Sequence, residues 1–309
     1  MSLTPDVTTS RPPIDAAAAD RWLEGRVPGA PGAQAWLHGE VARRMESRLQ
    51  WMRQAPTNWL DWSPSLGGWD TAHWLAKRYP QARVHRVETS PLRQAAAQSL
   101  LAPPRWQFWK ASPSVLAHAP AGQAQMLWAN MLLHAHPDPE KLLRQWHTAL
   151  AVDGYVMFSC LGPDSLCEVR TLYDQQGWPA PTHSFTDMHD WGDLLVQAGF
   201  AEPVMDMERI TLTYPDAEAL LVDLRALGRN LNPSRFTACR GRPWALRLRQ
   251  ALGAPNSPLR TTEDGRLSLT FEVIYGHALK PIPRARVAAQ TEVPLQDLKA
   301  MLGQRPARD

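Results

Sequence analysis

Apolar and polar residues follow two different periods along this chain, and the periods predict a regular succession of helices and strands. Between residues 36 and 52 apolar side chains recur every three or four positions, which predicts an amphipathic helix. Five short apolar runs follow and predict buried strands: residues 58–62, 82–88, 106–109, 124–130 and 154–161. Helical periodicity separates several of these runs, at residues 69–78, 92–101 and 138–150.

The last third of the chain has a different pattern. A helix is predicted over residues 187–200, and two longer alternating stretches, 205–214 and 266–278, predict two more strands. Two helical segments, 216–227 and 243–252, lie between these strands. The succession predicts an α/β fold, with a doubly wound, mostly parallel sheet of seven strands and a helical insertion between the last two. In such a sheet the carboxyl ends of the parallel strands share one edge, where ligands bind.

The same pattern predicts a single domain with extensions at both ends. Residues 1–35 are expected to form a disordered or loosely ordered arm, because they lack sustained periodicity. The domain is predicted to occupy residues 36–280, with residues 216–258 forming a helical lid over the sheet edge. Residues 281–309 are expected to form a flexible tail.

Composition narrows the class of protein further. Of the 309 residues, 44% are hydrophobic, and no apolar run approaches the length of a membrane-spanning helix. The three cysteines, Cys160, Cys167 and Cys239, have no metal-binding or disulfide spacing, which favours a cytoplasmic protein. The net charge of +3 is compatible with an acidic protein partner and does not indicate nucleic-acid or membrane binding. The 14 tryptophans are interpreted as core residues.

Several segments resemble a known family. Seven strands, a glycine-containing turn after the first strand and an acidic residue, Glu88, at the end of the second resemble the class I S-adenosylmethionine-dependent methyltransferases, which have a Rossmann-like sheet. The block "DMHDWGDLLVQAGFAEPVMDMERITLTY", residues 187–214, is similar to the malonyl-acyl carrier protein O-methyltransferases of biotin synthesis. The resemblance covers roughly residues 36 to 279. It implies carboxyl O-methylation, S-adenosylmethionine as cofactor and a malonyl group carried by an acyl carrier protein.

The loop after the first strand departs from the family pattern, Asp-x-Gly-x-Gly-x-Gly. Asp61 stands at the acidic position, Ser63 and Ser65 replace the first two glycines, and Gly67 occupies the third. Glycine suits this loop because the backbone turns tightly and approaches the cofactor closely. A serine held in a disfavoured backbone conformation costs about 1–3 kcal/mol, and Pro64 removes an N–H donor. The loop therefore predicts either a reshaped cofactor site or one that has been lost, and Asp61 is equally well interpreted as a turn residue.

The resemblance also implies a set of cofactor contacts at the other strand ends. Glu88 is expected to accept hydrogen bonds from the ribose, although an exposed strand-end carboxylate is the alternative. Thr89 follows it, and Ser112 lies where the family has an aspartate facing the adenine. At the fourth strand Gln125 replaces the usual aspartate, and Asn130 matches the family.

A malonyl group needs a cation to hold its carboxylate. Arg225, on a predicted helix of the insertion, is the first candidate, with a solvated surface charge as the alternative. Tyr214 and Tyr275 are candidates to line the pocket, or else pack in the core. His134 and His136 resemble a metal pair only superficially, and no metal site is expected. A basic cluster is interpreted as facing the acyl carrier protein or as a solvated patch: Arg235, Arg240, Arg242, Arg247 and Arg249.

Three functions compete on these grounds. The favoured one is S-adenosylmethionine-dependent O-methylation of malonyl-acyl carrier protein. The substitutions at Ser63, Ser65 and Gln125 favour instead an impaired methyltransferase that acts as a binding or regulatory module. The third hypothesis is a relative of the complex I assembly factors linked to arginine hydroxylation, which share the "DMHD" segment. Methylation of a carboxylate needs little acid–base help, so the absence of an obvious catalytic dyad in the sequence is compatible with the first.

Overall fold

A computed structural model describes residues 13–25, 35–102, 114–260 and 264–283 of the chain. Its central feature is one sheet of seven strands in the order β3-β2-β1-β4-β5-β7-β6. The strands are β1 (Asn58–Trp62), β2 (Arg83–Val87), β3 (Val115–Leu116), β4 (Ala124–Ala129), β5 (Leu150–Leu161), β6 (Ala201–Tyr214) and β7 (Leu267–Leu279). The α-helices are α1 (Ala16–Glu24), α2 (Trp36–Arg48), α3 (Pro64–Gly67), α4 (Asp70–Arg78), α5 (Pro91–Leu101), α6 (Pro139–Ala149), α7 (Cys167–Gln175), α8 (Met188–Gln197), α9 (Ala217–Leu227) and α10 (Arg242–Gly253).

The sheet is mixed, with most of its strands parallel. Strands β3, β2, β1, β4 and β5 run parallel, and β7 pairs antiparallel with both β5 and β6. Consequently the carboxyl ends of the first five strands lie along the same edge. The predicted fold class, a doubly wound and mostly parallel sheet of seven strands, is confirmed.

Successive side chains of β1 point to opposite faces of the sheet, and both faces of this strand are buried. Trp59 packs in one hydrophobic cluster, together with Val41 and Met45 of α2. Leu60 and Trp62 belong to the cluster on the opposite face, with α6 and α8. Both tryptophans are less than 5% exposed, so they fill the core as the composition predicted.

The N-terminal segment differs from the expected loose arm, because residues 16–24 form the helix α1. The Asp15 side chain caps this helix by accepting a hydrogen bond from Ala18 N at 2.9 Å. It also forms an ion pair with Arg235 at 2.7 Å, and Ala19 is fully buried. These contacts hold α1 against the body of the domain.

The third strand also differs from the expectation. Residues 106–109, the predicted strand, lie outside the described residues, and β3 comes later, where Val115 and Leu116 pair with Arg86 and Val87 of β2. The predicted tail from residue 284 onward lies outside the described residues as well.

Two helices, α9 and α10, occupy the predicted insertion between β6 and β7. Asp216 caps α9 by accepting a hydrogen bond from Ala219 N at 2.9 Å, and α10 begins at Arg242 with Pro243 in its first turn. Glu218 of α9 and Arg249 of α10 form an ion pair at 2.5 Å. Within the described part of the chain, no helix is long and apolar enough to cross a membrane.

Candidate functional site

The loop after β1 forms a single helical turn rather than an open glycine-rich curve. Ser63 lies in the left-handed region (φ 52°, ψ 53°), and the turn α3 starts at Pro64, immediately after it. Pro64 stands at the first helical position, where an N–H group would have no intrahelical partner, so its missing donor has no cost here. A serine in the left-handed region costs about 1–2 kcal/mol, which is the strain that the lost glycine would have avoided. The loop has been reshaped around this one strained residue.

The turn directs a backbone donor at the acidic residue that ends the β2 segment. Ser65 N donates a hydrogen bond to Glu88 Oε1 at 2.8 Å, while Glu88 Oε2 is buried and has no partner among the described residues. Burial raises the pKa of Glu88, and the Ser65 hydrogen bonds and the charge of Arg93 oppose this shift. Glu88 is 1% exposed, so the alternative of a solvated strand-end carboxylate is wrong.

Arg93 links this pair to the N-terminal helix. The guanidinium of Arg93 is buried, and its Nη1 donates to the Ser65 hydroxyl at 3.3 Å while its Nη2 donates to the carbonyl oxygen of Trp22. Ser90 Oγ donates to the carbonyl oxygen of Glu24 at 2.7 Å. The C-terminal end of α1 therefore covers the edge of the sheet beside Glu88.

Asp61, one strand away, is also buried. It faces Arg86 across the β1–β2 pairing, and one of its carboxylate oxygens has no partner among the described residues. Burial raises the pKa of Asp61 to about 7; the charge of Arg86 opposes this shift and that of Glu88 adds to it. Asp61 lies within β1, so the interpretation as a turn residue is wrong, and a cofactor contact stays a prediction.

Asn130 holds the loop in place and contributes to the packing of Gly67. Its Nδ2 donates to the carbonyl oxygens of His38, at 2.9 Å, and of Gly67, and its Oδ1 accepts from Ser159 Oγ at 2.7 Å. A Cβ atom at Gly67 would lie 2.6 Å from the Asn130 carbonyl oxygen. Glycine is thus required here by the approach of another backbone, and the amide of Asn130 is occupied by the protein itself.

A cavity of about 170 Å³ opens at the carboxyl ends of β4 and β5. Its floor includes Leu66 of the loop, Met131 and Leu161, and Trp22 and Leu23 of α1 cover part of it. Leu221, Leu224 and Leu227 of α9 and Leu248 and Leu252 of α10 form the side that belongs to the insertion. The walls are mainly apolar, which is typical of ligand pockets.

Three imidazoles are the main polar groups among these walls. His38 Nδ1 lies 2.8 Å from the carbonyl oxygen of Leu66, and His183 Nε2 lies 3.0 Å from that of His134. His134 Nδ1 accepts a hydrogen bond from Leu161 N at 3.3 Å. These partners assign the protons to Nδ1 of His38, Nε2 of His183 and Nε2 of His134. Burial lowers the pKa of all three, to about 4 for His38, so they are neutral at pH 7.

The predicted substrate residues do not line this cavity. Arg225 is exposed on α9, whereas Tyr214 and Tyr275 are buried in the core cluster, in line with the alternative interpretation for these tyrosines. Arg229, one helical turn after Arg225, does line it and is the single Lys or Arg among the described lining residues. Its position past the end of α9 depends on where that helix stops, whereas the family resemblance had led to Arg225.

The remaining predicted cofactor residues lie apart from one another. Thr89 is exposed and borders a second cavity of about 310 Å³, along α6, which Trp62 and His118 also line. Ser112 lies outside the described residues. Gln125 Oε1 accepts hydrogen bonds from Thr57 N, at 2.6 Å, and from Asn58 N, at 3.1 Å. Gln125 thus anchors the start of β1, at the opposite end of the sheet from the site.

The sequence did not identify the residues after β3 as neighbours of this edge. Leu116 pairs with Val87, so the next residues of the two strands, Ala117 and Glu88, lie at the same level of the sheet edge.

His136, the second member of the superficial metal pair, accepts a hydrogen bond on Nδ1 from Asp138 N at 3.1 Å. Among the described residues, no group of three or more His, Cys, Asp or Glu side chains is arranged to hold a metal ion.

The sheet order and the buried acidic residue that follows β2 are those of a class I methyltransferase. A sequence profile of the family described as "Methyltransferase domain" matches residues 34–202. A solved structure of a proposed methyltransferase from Bacillus halodurans is similar to the chain, with a TM-score of 0.53 and 14% identity, over 79% of this chain and 100% of that one. That likeness supports the fold alone.

Curated relatives narrow the class. A malonyl-[acyl-carrier protein] O-methyltransferase of Laribacter hongkongensis is 38% identical over 261 residues, which cover 82% of this chain and 85% of the relative. The protein of the same name from Gallionella capsiferriformans is 39% identical over 261 residues, covering 82% and 87%. The chain belongs to the malonyl-[acyl-carrier protein] O-methyltransferase family. These relatives do not favour the pseudoenzyme or the arginine-hydroxylase hypothesis.

The family is S-adenosylmethionine-dependent, and the site fits that cofactor in one testable respect. Glu88 Oε2 is a buried acceptor without a described donor, and a ribose hydroxyl is a donor of the kind it lacks. The side chains that would destroy the site, Trp59 and Trp62, pack in the two core clusters and do not line the 170 Å³ cavity; Pro64 does not line it either. Glu88 is not among the residues that line the 170 Å³ cavity, and the C-terminal end of α1 lies beside it.

Proposed function

We propose that this protein transfers a methyl group from S-adenosylmethionine to the free carboxylate of a malonyl group carried by an acyl carrier protein, in the cytoplasm. The observation that carries the proposal is the apolar cavity at the carboxyl ends of β4 and β5, which is enclosed by α1 and the insertion and has Arg229 among its lining residues. The named relatives support the same substrate, since they are malonyl-[acyl-carrier protein] O-methyltransferases.

The chemistry of this transfer matches the side chains at the site. When bound, the cofactor would supply a methyl group on a sulfonium, which a carboxylate oxygen can take directly, with S-adenosylhomocysteine as the neutral leaving group. The protein therefore has to bind, orient and desolvate the reactants rather than move a proton. Apolar walls exclude water from the cavity, and its three neutral histidines orient polar groups without adding charge.

Glu88 is proposed to hold the ribose, and the loop is proposed to set the position of Glu88. The Ser65 N–H occupies one carboxylate oxygen at 2.8 Å and leaves the other for the ligand. Asp61, Ser63 and Gly67 act through the shape of this loop. Because Arg93 contacts Ser65 and also the carbonyl oxygen of Trp22, cofactor binding and the position of α1 are expected to depend on each other.

A change in shape on ligand binding is part of the proposal. A cavity of about 170 Å³ is smaller than the roughly 300–1,000 Å³ of sites that hold drug-sized ligands. The small volume supports an outward movement of α1, the insertion or both when cofactor and acyl chain bind. We propose that residues 216–258 act as the lid and that α1 closes the other side of the cavity.

The basic cluster of the insertion is proposed as the docking surface for the acidic carrier protein. Two of its members are already paired, Arg235 with Asp15 at 2.7 Å and Arg249 with Glu218 at 2.5 Å. Arg240 stacks over Trp244 at 3.5 Å, and Arg242 and Arg247 are exposed. The proposed docking surface therefore includes fewer available arginines than the sequence indicated.

Calorimetry with S-adenosylhomocysteine, followed by a methylation assay on malonyl-acyl carrier protein, tests the proposal. Saturable binding and a methyl ester on the malonyl carboxylate are expected. A ligand at a hundred times its dissociation constant stabilises a protein by about 2.7 kcal/mol, so a rise in melting temperature is a second readout. No binding at millimolar ligand, or binding without ester formation, would refute the proposed enzyme.

A charge-reversal variant tests the docking surface separately. Arg247→Glu is expected to raise KM for malonyl-acyl carrier protein and leave KM for malonyl-coenzyme A unchanged, because the small thioester has no carrier protein to dock. Arg144→Glu, on the opposite face of the sheet, is the matched control. Equal effects of the two reversals would count against the basic cluster as the docking surface.

A further inference from the structure

The polar groups of the 170 Å³ cavity include one fixed positive charge among the described residues, and this charge has no counter-ion there. Arg229 lines the cavity together with three histidines that burial keeps neutral at pH 7. No ion pair is formed by Arg229 with any described residue. Arg229 is exposed and borders an apolar cavity, and its guanidinium favours an anionic ligand there, because a carboxylate would form a charge-assisted pair with it.

The guanidinium of Arg229 is oriented by the protein backbone. Its Nη1 donates to the carbonyl oxygens of Arg225 and Gly228, at 2.8 Å each, which are the last carbonyls of α9 and its C-cap. The ring of Trp22 lies 5.0 Å from the guanidinium carbon. These contacts come from α9 on one side and α1 on the other, so both elements around the cavity fix the position of this side chain.

The same contacts leave one edge of the guanidinium available. Nε and Nη2 make no hydrogen bond to any described residue, and this pair of donors matches the two oxygens of a carboxylate. A lysine would offer no such planar pair. Arg225, four residues earlier, is exposed like Arg229 but does not line the cavity, and it contributes only its carbonyl oxygen to this arrangement.

We infer that Arg229 binds the substrate carboxylate through its Nε–Nη2 edge and selects acyl groups that end in a carboxylate. This inference rests on the proposed function. It replaces the predicted Arg225 as the substrate-binding cation, and it makes Trp22 of α1 a part of the substrate site, because Trp22 stacks on the guanidinium.

Kinetics of three variants test the inference: Arg229→Gln, Arg229→Lys and the matched control Arg225→Gln, which keeps the carbonyl oxygen that orients Arg229. Loss of a charge-assisted bidentate contact predicts a KM for malonyl-coenzyme A raised roughly 10- to 100-fold in Arg229→Gln. Arg229→Lys should recover part of that loss, and Arg225→Gln should match the wild type. Melting temperature and S-adenosylhomocysteine affinity are measured in parallel to separate this effect from damage to the fold.

A neutral competitor gives a readout that a structural role would not move. The wild type should bind malonyl-coenzyme A much more tightly than acetyl-coenzyme A, which lacks the carboxylate, and Arg229→Gln should lose this preference. An unchanged preference, or a defect confined to malonyl-acyl carrier protein, would overturn the inference and make Arg229 a structural or docking residue. If the wild type methylates no malonyl thioester, it is the proposed function that fails.

Discussion

Replacing Gly67 by alanine tests whether the loop and the end of β4 are packed as closely as the structure shows. The added Cβ would lie 2.6 Å from the Asn130 carbonyl oxygen and 3.1 Å from Asn130 Cβ. Because the nearest atom belongs to the backbone, no rotation of a side chain relieves the clash, and the loop or the strand end has to shift. Overpacking of this kind costs about 1–3 kcal/mol.

Two measurements follow from that magnitude. At roughly 2–4 °C per kcal/mol, Gly67→Ala should lower the melting temperature by about 2 to 12 °C. It should also weaken S-adenosylhomocysteine binding, because a displaced loop moves the Ser65 N–H away from Glu88. Gly253→Ala is the matched control, since its Cβ would meet no atom within 4 Å and alanine is favoured in a helix. The reasoning fails if Gly67→Ala melts and binds like Gly253→Ala.

Two further substitutions test the buried carboxylates. Glu88→Gln keeps an acceptor for Ser65 N but loses the charge, and calorimetry should show S-adenosylhomocysteine affinity reduced roughly tenfold or more. Glu140→Gln, at an exposed position, is the control. Equal S-adenosylhomocysteine affinities of the two variants would exclude Glu88 as a ligand. The pKa of Asp61 is raised to about 7 from 3.8, so between these values the folded state holds a proton that the unfolded state releases. Stability contributed by this group is therefore lost as pH rises from about 4 to 7. Asp61→Asn should remove that loss. In urea unfolding, the substitution should raise the free energy of unfolding by up to roughly 4 kcal/mol at pH 8 and hardly at pH 4. Equal increases at both pH values would contradict a raised pKa at Asp61.

The glycine motif did not predict the conformations of the two serines in the loop. Judged against the glycine pattern, Ser63 and Ser65 indicated a site that was strained or lost. The strain is present at Ser63, whose φ is 52°, but Ser65 has an ordinary place in a helical turn and donates to Glu88. A loop of the same length can follow another path, and the sequence does not state which path has the lower energy.

A single helical turn separates Arg225, the predicted substrate cation, from Arg229, which lines the cavity. Helical periodicity places both Arg225 and Arg229 near the end of α9, and the family pattern favoured Arg225. Which of them lines the cavity depends on how α9 packs over the sheet and on where it ends, at Gly228. These are contacts between elements far apart in the chain, and a local sequence pattern does not predict them.

The sequence by itself determined the sheet, the position of its ligand edge and the acidic residue beside it. Periods of two and of about 3.6 residues are local properties, and chirality restricts how strands and helices can be joined, so the pattern predicted a mostly parallel sheet of seven strands. The strand order and the position of β3 came from the structure. Only the tertiary structure decided that residues 16–24 form a helix over the site, that Asn130 and Gln125 serve the protein's own backbone, and that Arg229 lines the cavity. Each of these depends on hydrogen bonds and packing between segments separated by tens of residues or more, for which neighbouring residues carry no signal.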